Sequence, residues 1–124
     1  MRWQFSNDAP IYTQLIDQIK VGIVSGAFPP GERLPSVRDL AAEAGVNPNT
    51  MQRAMMEMER EELVYSQRTA GRFVTEDADR IRSLRETLAR GQVKEFLDGM
   101  IHLGFSLEEI LAFVQAEGEK GDHP

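Results

Sequence analysis

The sequence predicts a mainly α-helical protein with one small β-hairpin, followed by a separate helical segment. Three patterns predict it. Apolar side chains recur at helical spacing in Ile11, Leu15, Ile19 and Ile23, and again in Met51, Ala54, Met55 and Met58. Two β-prone runs, Leu63-Val64-Tyr65-Ser66 and Arg72-Phe73-Val74-Thr75, flank a polar loop that ends in Gly71. From Asp77 the helical period returns through Ile81, Leu84 and Leu88 and continues to Val114. The 124 residues suffice for one domain and a small appendage. The expected division is 1–75, a helical segment 76–118, and a frayed tail 119–124.

Each element has a local cause. Trp3 and Phe5 alternate with polar neighbours and suggest an extended lead-in. Pro10 suits the first position of a helix, and Gly26 its left-handed stop. Phe28-Pro29-Pro30-Gly31 predicts a type II turn. Glu32-Arg33-Leu34 is long enough only for a strand fragment, and Pro35 keeps Leu34 out of a helix. Ser36 opens a second helix with Asp39 as its capping partner, and Gly45 closes it after about two turns. Asn47 caps the third helix, with Pro48 at its first position. Gly91 breaks the phase of the fourth helix, whose stripe resumes at Val93 and Phe96, and Gly104 ends it. Ser106 and Glu109 form a capping box for the last helix.

Composition excludes several classes. No cysteine is present, so disulfides and thiolate metal sites are ruled out, and a reducing cytoplasm is the expected compartment. His102 and His123 are too few and too far apart for a metal site, and no cofactor motif occurs. No apolar run is long enough to span a membrane. No nucleophile–base pair or phosphate loop points to an enzyme. The net charge of −6 opposes a nucleic-acid partner if read as a sum. Its distribution reads differently. Residues 1–76 hold 8 basic and 10 acidic side chains, and residues 77–124 hold 6 and 10, so the second segment is the more acidic. Glu57, Glu59, Glu61 and Glu62 crowd one helix end. That leaves Arg33, Arg38, Arg53, Arg68 and Arg72 to form a local positive face.

A short helix, a tight turn and a second helix opened by small polar residues describe a helix-turn-helix, and the hairpin adds a wing. Such a motif needs a recognition helix anchored on one side and exposed at its start. Asn49, Thr50, Gln52 and Arg53 face away from the Met51/Met55/Met58 stripe. Asn and Gln can pair bidentately with adenine, and Arg with guanine. The helix start at Asn47 suits a phosphate, and Asn47 can equally serve as a cap alone. Arg68 and Arg72 flank the wing tip. Read blandly, Arg38 and Arg53 are solvated helix charges, and the methionines are core filler.

At this point the chain resembles a known family. Pro10-Ile11-Tyr12, the run Pro30 to Ala41 and the run Val46 to Ala54 are similar to the GntR winged-helix signature. Asn47-Pro48-Asn49-Thr50 and the short C-terminal segment resemble its YtrA branch. The resemblance covers residues 3–75 strongly and 76–118 more loosely. It implies a winged helix-turn-helix fold, a double-stranded operator as partner, and operator contacts at Arg38, Asn47, Asn49, Thr50, Gln52, Arg53 and Gly71. Many relatives carry Arg at the positions of Pro48 and Gln52, so their base preference does not carry over. Relatives commonly have Gly at Glu62. A non-Gly residue in that left-handed cap costs on the order of 1 kcal/mol, so the third helix is expected to end differently here. Of the usual Gly-x-Gly wing tip only Gly71 remains.

The second segment offers more apolar surface than a short chain should leave exposed. A homodimer interface is expected from Leu84, Leu88, Phe96, Leu97, Met100, Ile101, Phe105, Leu107, Ile110, Leu111 and Val114. A two-fold dimer places two recognition helices about 34–36 Å apart on successive major-groove faces. The expected function is a repressor that occludes a pseudo-palindromic site. After Glu76 the chain is too short for a separate effector domain, so a small-molecule effector would have to act at the interface or between the segments. The alternative is a winged-helix adaptor that binds protein and no specific DNA.

Overall fold

The computed structural model describes residues 1–121. They form five helices and one antiparallel hairpin, in the order three helices, hairpin, two helices. The chain divides into two compact units, Met1–Glu86 and Thr87–Pro124.

In the first unit, helix α1 (Ile11–Ser25) buries Leu15, Ile19, Gly22 and Ile23 and stops at Gly26, whose φ is 85°. Pro10 stands one position earlier than expected, as the N-cap. The lead-in is held by α1 itself. Gln18 bonds both backbone groups of Gln4, at 3.0 and 2.6 Å, and Gln14 does the same for Ser6, at 2.8 and 2.9 Å. Two side-chain amides one turn apart thus do the work of a neighbouring strand, and Trp3 and Phe5 pack on the core. The turn after Phe28 is type II: Gly31 has φ 75°, and Glu32 N–H donates to the Pro29 carbonyl at 3.2 Å.

Helices α2 (Val37–Ala44) and α3 (Pro48–Arg60) begin as their sequences require. The Ser36 hydroxyl accepts from Asp39 N–H, and the Asn47 side-chain oxygen Oδ1 accepts from Asn49 N–H at 2.7 Å. They also end alike. In α2, Gly45 is left-handed, and Val46 N–H reaches the Ala41 carbonyl at 3.0 Å. In α3, Glu62 takes the same position with φ 61°, and Leu63 N–H reaches the Met58 carbonyl at 2.9 Å. The expectation that α3 would end differently is therefore overturned. The paired cap bonds and burial of Leu63 outweigh the cost of a side chain in the left-handed region. Glu62→Gly should remove that cost, a gain of about 0.5 kcal/mol once the extra glycine entropy is subtracted, and raise the melting temperature by about 2 °C. A lower melting temperature would show that the Glu62–Arg80 ion pair matters more.

The hairpin pairs β1 (Val64–Gln67) with β2 (Gly71–Val74) in the register Val64↔Val74 and Gln67↔Gly71. Residues 32–34 lie along the free edge of β2, with Leu34 N–H donating to the Arg72 carbonyl at 2.8 Å. The core gathers Leu15, Ile19, Leu40, Met51, Met55, Met58 and Val74, each almost fully buried. The methionines are packing residues, as the stripe predicts.

Helix α4 (Ala78–His102) runs unbroken through Gly91. What changes near Gly91 is the apolar face. Ile81, Leu84 and Leu88 lie on one side, and Phe96, Met100, Val93, Leu97 and Ile101 about 150° around the helix, at 100° per residue. Ile81 is buried and Leu84 packs on the first core, while Arg85 bonds the Val24 carbonyl at 3.3 Å. The first compact unit extends to Glu86.

In the second unit, α5 (Leu107–Lys120) starts with the expected capping box of Ser106 and Glu109. Those bonds from Ser106 hold the Glu109 carboxyl below its ordinary pKa. The Phe105 and Phe113 rings meet edge to face at 5.0 Å. Of the expected tail, Glu119 and Lys120 belong to the last turn of α5, and 122–124 lie outside the described residues.

Candidate nucleic-acid interface

Helix α3 buries Met51, Ala54, Met55 and Met58, and this fixes which residues it presents. Asn49, Arg53, Met56 and Arg60 are exposed on the opposite side, with Thr50 and Gln52 half-buried on the flanks. Asn47 is exposed, and its side-chain oxygen is engaged as the cap.

One flank of α3 forms a groove of about 390 Å³ with the start of α2 and the wing. Arg33, Arg38, Gln52, Gly71 and Arg72 all line it, so five sequence-predicted residues from four segments meet in one cleft. Gly71 has a steric reason to be glycine. Its φ is 104°, and a Cβ there would stand 2.9 Å from Arg33 Nε. Arg38 is exposed and makes no ion pair among the described residues. Arg72 is different: its Nε bonds Glu59 at 3.2 Å, and the Ser66 hydroxyl donates to the same carboxylate. Glu59 thus ties both wing strands to α3 and offsets part of the Arg72 charge. Arg68 sits at the exposed wing tip, outside the groove. Beside it Thr69, the position of the first glycine in the usual tip, is left-handed with φ 65°.

On the other flank, the Arg53 guanidinium carbon lies 4.4 Å from the centre of the Tyr12 ring. Glu57 bonds Arg60, which holds the Glu57 carboxyl down to about 2, well below the ordinary range. Tyr12 and Glu59 are the residues that sequence reasoning missed. In the sequence Tyr12 lies beside the apolar stripe of the first helix, and Glu59 is one of four acids crowding a helix end. Neither reveals a long-range partner from its spacing.

The apolar residues of the second segment separate by place. Leu84 is half-buried against the first core, and Ile110, 1% exposed, is buried within the second unit. Leu88, Leu97, Met100 and Phe105 are half-buried; Phe96, Ile101, Leu107, Leu111 and Val114 are exposed. Val93, Leu103 and Phe113 are exposed as well. Two apolar grooves result, one of about 400 Å³ lined by Phe96, Met100, Phe113 and Val114, the other of about 420 Å³ along Val93, Leu97 and Ile101. Among the described residues no group of His, Cys, Asp and Glu could hold a metal ion, and no helix is long and apolar enough to cross a membrane.

Comparison with known proteins agrees with this geometry. Residues 11–74 match the family described as bacterial regulatory proteins, gntR family. The HTH-type transcriptional repressor YtrA of Bacillus subtilis is 33% identical over 110 residues, covering 88% of this chain and 85% of the relative. A GntR family transcriptional regulator from Listeria monocytogenes has the same fold, with a TM-score of 0.82 and 39% identity over 90% of this chain and 98% of that one. The DNA-binding domain of AraR, solved in complex with operator ORX1, matches 60% of this chain and 96% of its own with a TM-score of 0.54 and 25% identity.

Proposed function

This chain is a GntR-family DNA-binding transcriptional regulator of the YtrA-like branch, and from that premise we propose that it represses transcription as a homodimer on a pseudo-palindromic operator. One observation carries the reading. Helix α3 is clamped on its buried side and projects Asn49 and Arg53, beside a groove that collects Arg33, Arg38 and Gln52. That arrangement combines base-edge readers with phosphate-binding cations, although the whole chain is acidic.

The size of the second unit supports the dimer. It spans fewer than 40 residues, and among its described residues one side chain, Ile110, is buried. Chains below about 40 residues usually need a disulfide, a metal or a partner to stay folded. Cysteine is absent from the sequence. A second copy of the same apolar faces supplies the missing cover and pairs two recognition helices by symmetry. Repression follows by occlusion of polymerase, in the cytoplasm where the operator is found. Regulation by a small molecule would act by changing the separation of the two recognition helices.

Arg38 gives the test. In a duplex selected from random DNA, Arg38→Ala should weaken binding by about 1–3 kcal/mol. The melting temperature should stay unchanged, because the side chain is exposed. Unaltered affinity would remove Arg38, and with it the groove, from the interface.

A further inference from the structure

Arg53 stands on the exposed side of α3, and Glu57, one turn on, is the carboxylate placed to neutralise it. Arg60 takes that carboxylate instead, with Nε at 2.8 Å and Nη2 bonded to the other oxygen. Arg53 makes no ion pair among the described residues. Its guanidinium lies 4.4 Å from the centre of the Tyr12 ring, in the first turn of α1. Tyr12 is itself half-buried against the core, so its ring is a fixed platform. An aromatic face attracts the cation through its quadrupole yet accepts none of the five N–H donors. The side chain is thereby restrained while its charge and hydrogen bonds stay available.

We propose that Tyr12 is a positioning residue that aims Arg53 at a backbone phosphate of bound duplex, which makes α1 part of the DNA-binding apparatus. The inference rests on the DNA-binding reading above. Phosphate is the matching target because the ring draws the guanidinium from the crest of α3 toward the neighbouring helix. Base edges are reached from the crest, and the sugar-phosphate strand borders it.

The test uses the full chain and a 24-base-pair duplex of mixed sequence, titrated at several salt concentrations. Tyr12→Phe should bind within about twofold of the parent, since the ring remains. Tyr12→Leu should lose about fivefold, and Arg53→Ala about tenfold with a salt slope shallower by about one. Adding Tyr12→Leu to Arg53→Ala should change nothing further. Losses that multiply in the double variant would overturn the proposal, because Tyr12 would then act without Arg53. A second readout needs no DNA: the Arg53 Nε–H resonance should show an upfield ring-current shift in the parent and in Tyr12→Phe, and lose it in Tyr12→Leu. An unshifted parent resonance would also overturn the proposal. A parent chain that binds no duplex, with the ring shift present, would sink the DNA-binding reading and with it the phosphate role.

Discussion

Replacing Val93 and Ile101 together by Asp should yield a monomer that binds its selected duplex at least about 100-fold more weakly than the parent chain. The two residues lie in the same groove of α4 and are 55% and 57% exposed. Side chains so exposed contribute little to folding of the single chain, so charge is tolerated until a partner must cover it. Covering two carboxylates without partners then costs several kcal/mol. Losing the proposed dimer removes the second recognition helix from the effective concentration that tethering gives, a factor of roughly 10²–10⁴. Sedimentation should report the mass of one chain, and melting of the first unit should be unchanged. A variant that stays dimeric would place the interface on another surface, the groove of Phe96 and Phe113 being the next to test.

Ile110→Ala should have the largest effect on stability. Large-to-small changes at fully buried aliphatic positions cost about 2–5 kcal/mol. In the first unit such a loss would be shared among more than a dozen buried neighbours. Among the described residues of the second unit Ile110 alone is buried, and the half-exposed Phe105–Phe113 contact is the other apolar hold on α5. Amide hydrogen exchange should show α5 losing protection while α1 to α3 keep theirs. Because the groove of Phe96, Met100, Phe113 and Val114 is built from both helices, a dimer that uses it should also dissociate. Equal loss of protection in both units would mean that they unfold as one cooperative body.

Much of this fold is legible in the sequence because its causes are local. The caps at Ser36, Asn47 and Ser106 each involve residues within three positions, and all three form. The type II turn at Pro30-Gly31 and the hairpin follow from the same short-range chemistry. Where the cause is distant, spacing is silent. Leu84 and Ile110 carry the same apolar signal as the exposed Leu111, and only three-dimensional packing decides that they face inward. Gly91 marks a change of face on α4, which a break in periodicity cannot distinguish from a break in the helix. Glu62 accepts a left-handed backbone because Leu63 and the cap bonds fix it there.

The interface divides in the same way. Asn49, Gln52 and Arg53 are assignable once the methionine stripe fixes the orientation of α3. The clustering of Arg33 with Arg38 and Gly71 requires residues 32–34 to run along β2, a pairing that no local signal encodes. The commitment of Arg72 to Glu59, and of Arg53 to Tyr12, likewise depends on elements far apart in the chain.

Selection of bound fragments from a pool of random duplexes tests the central claim most directly. Two copies of α3 related by a two-fold axis should enrich an inverted repeat, its half-sites about 10 base pairs apart centre to centre or a multiple of that. A pool that returns no enriched sequence, or one enriched equally by a chain with Asn49 and Gln52 both replaced by Ala, would contradict the assignment of α3 as the reading element.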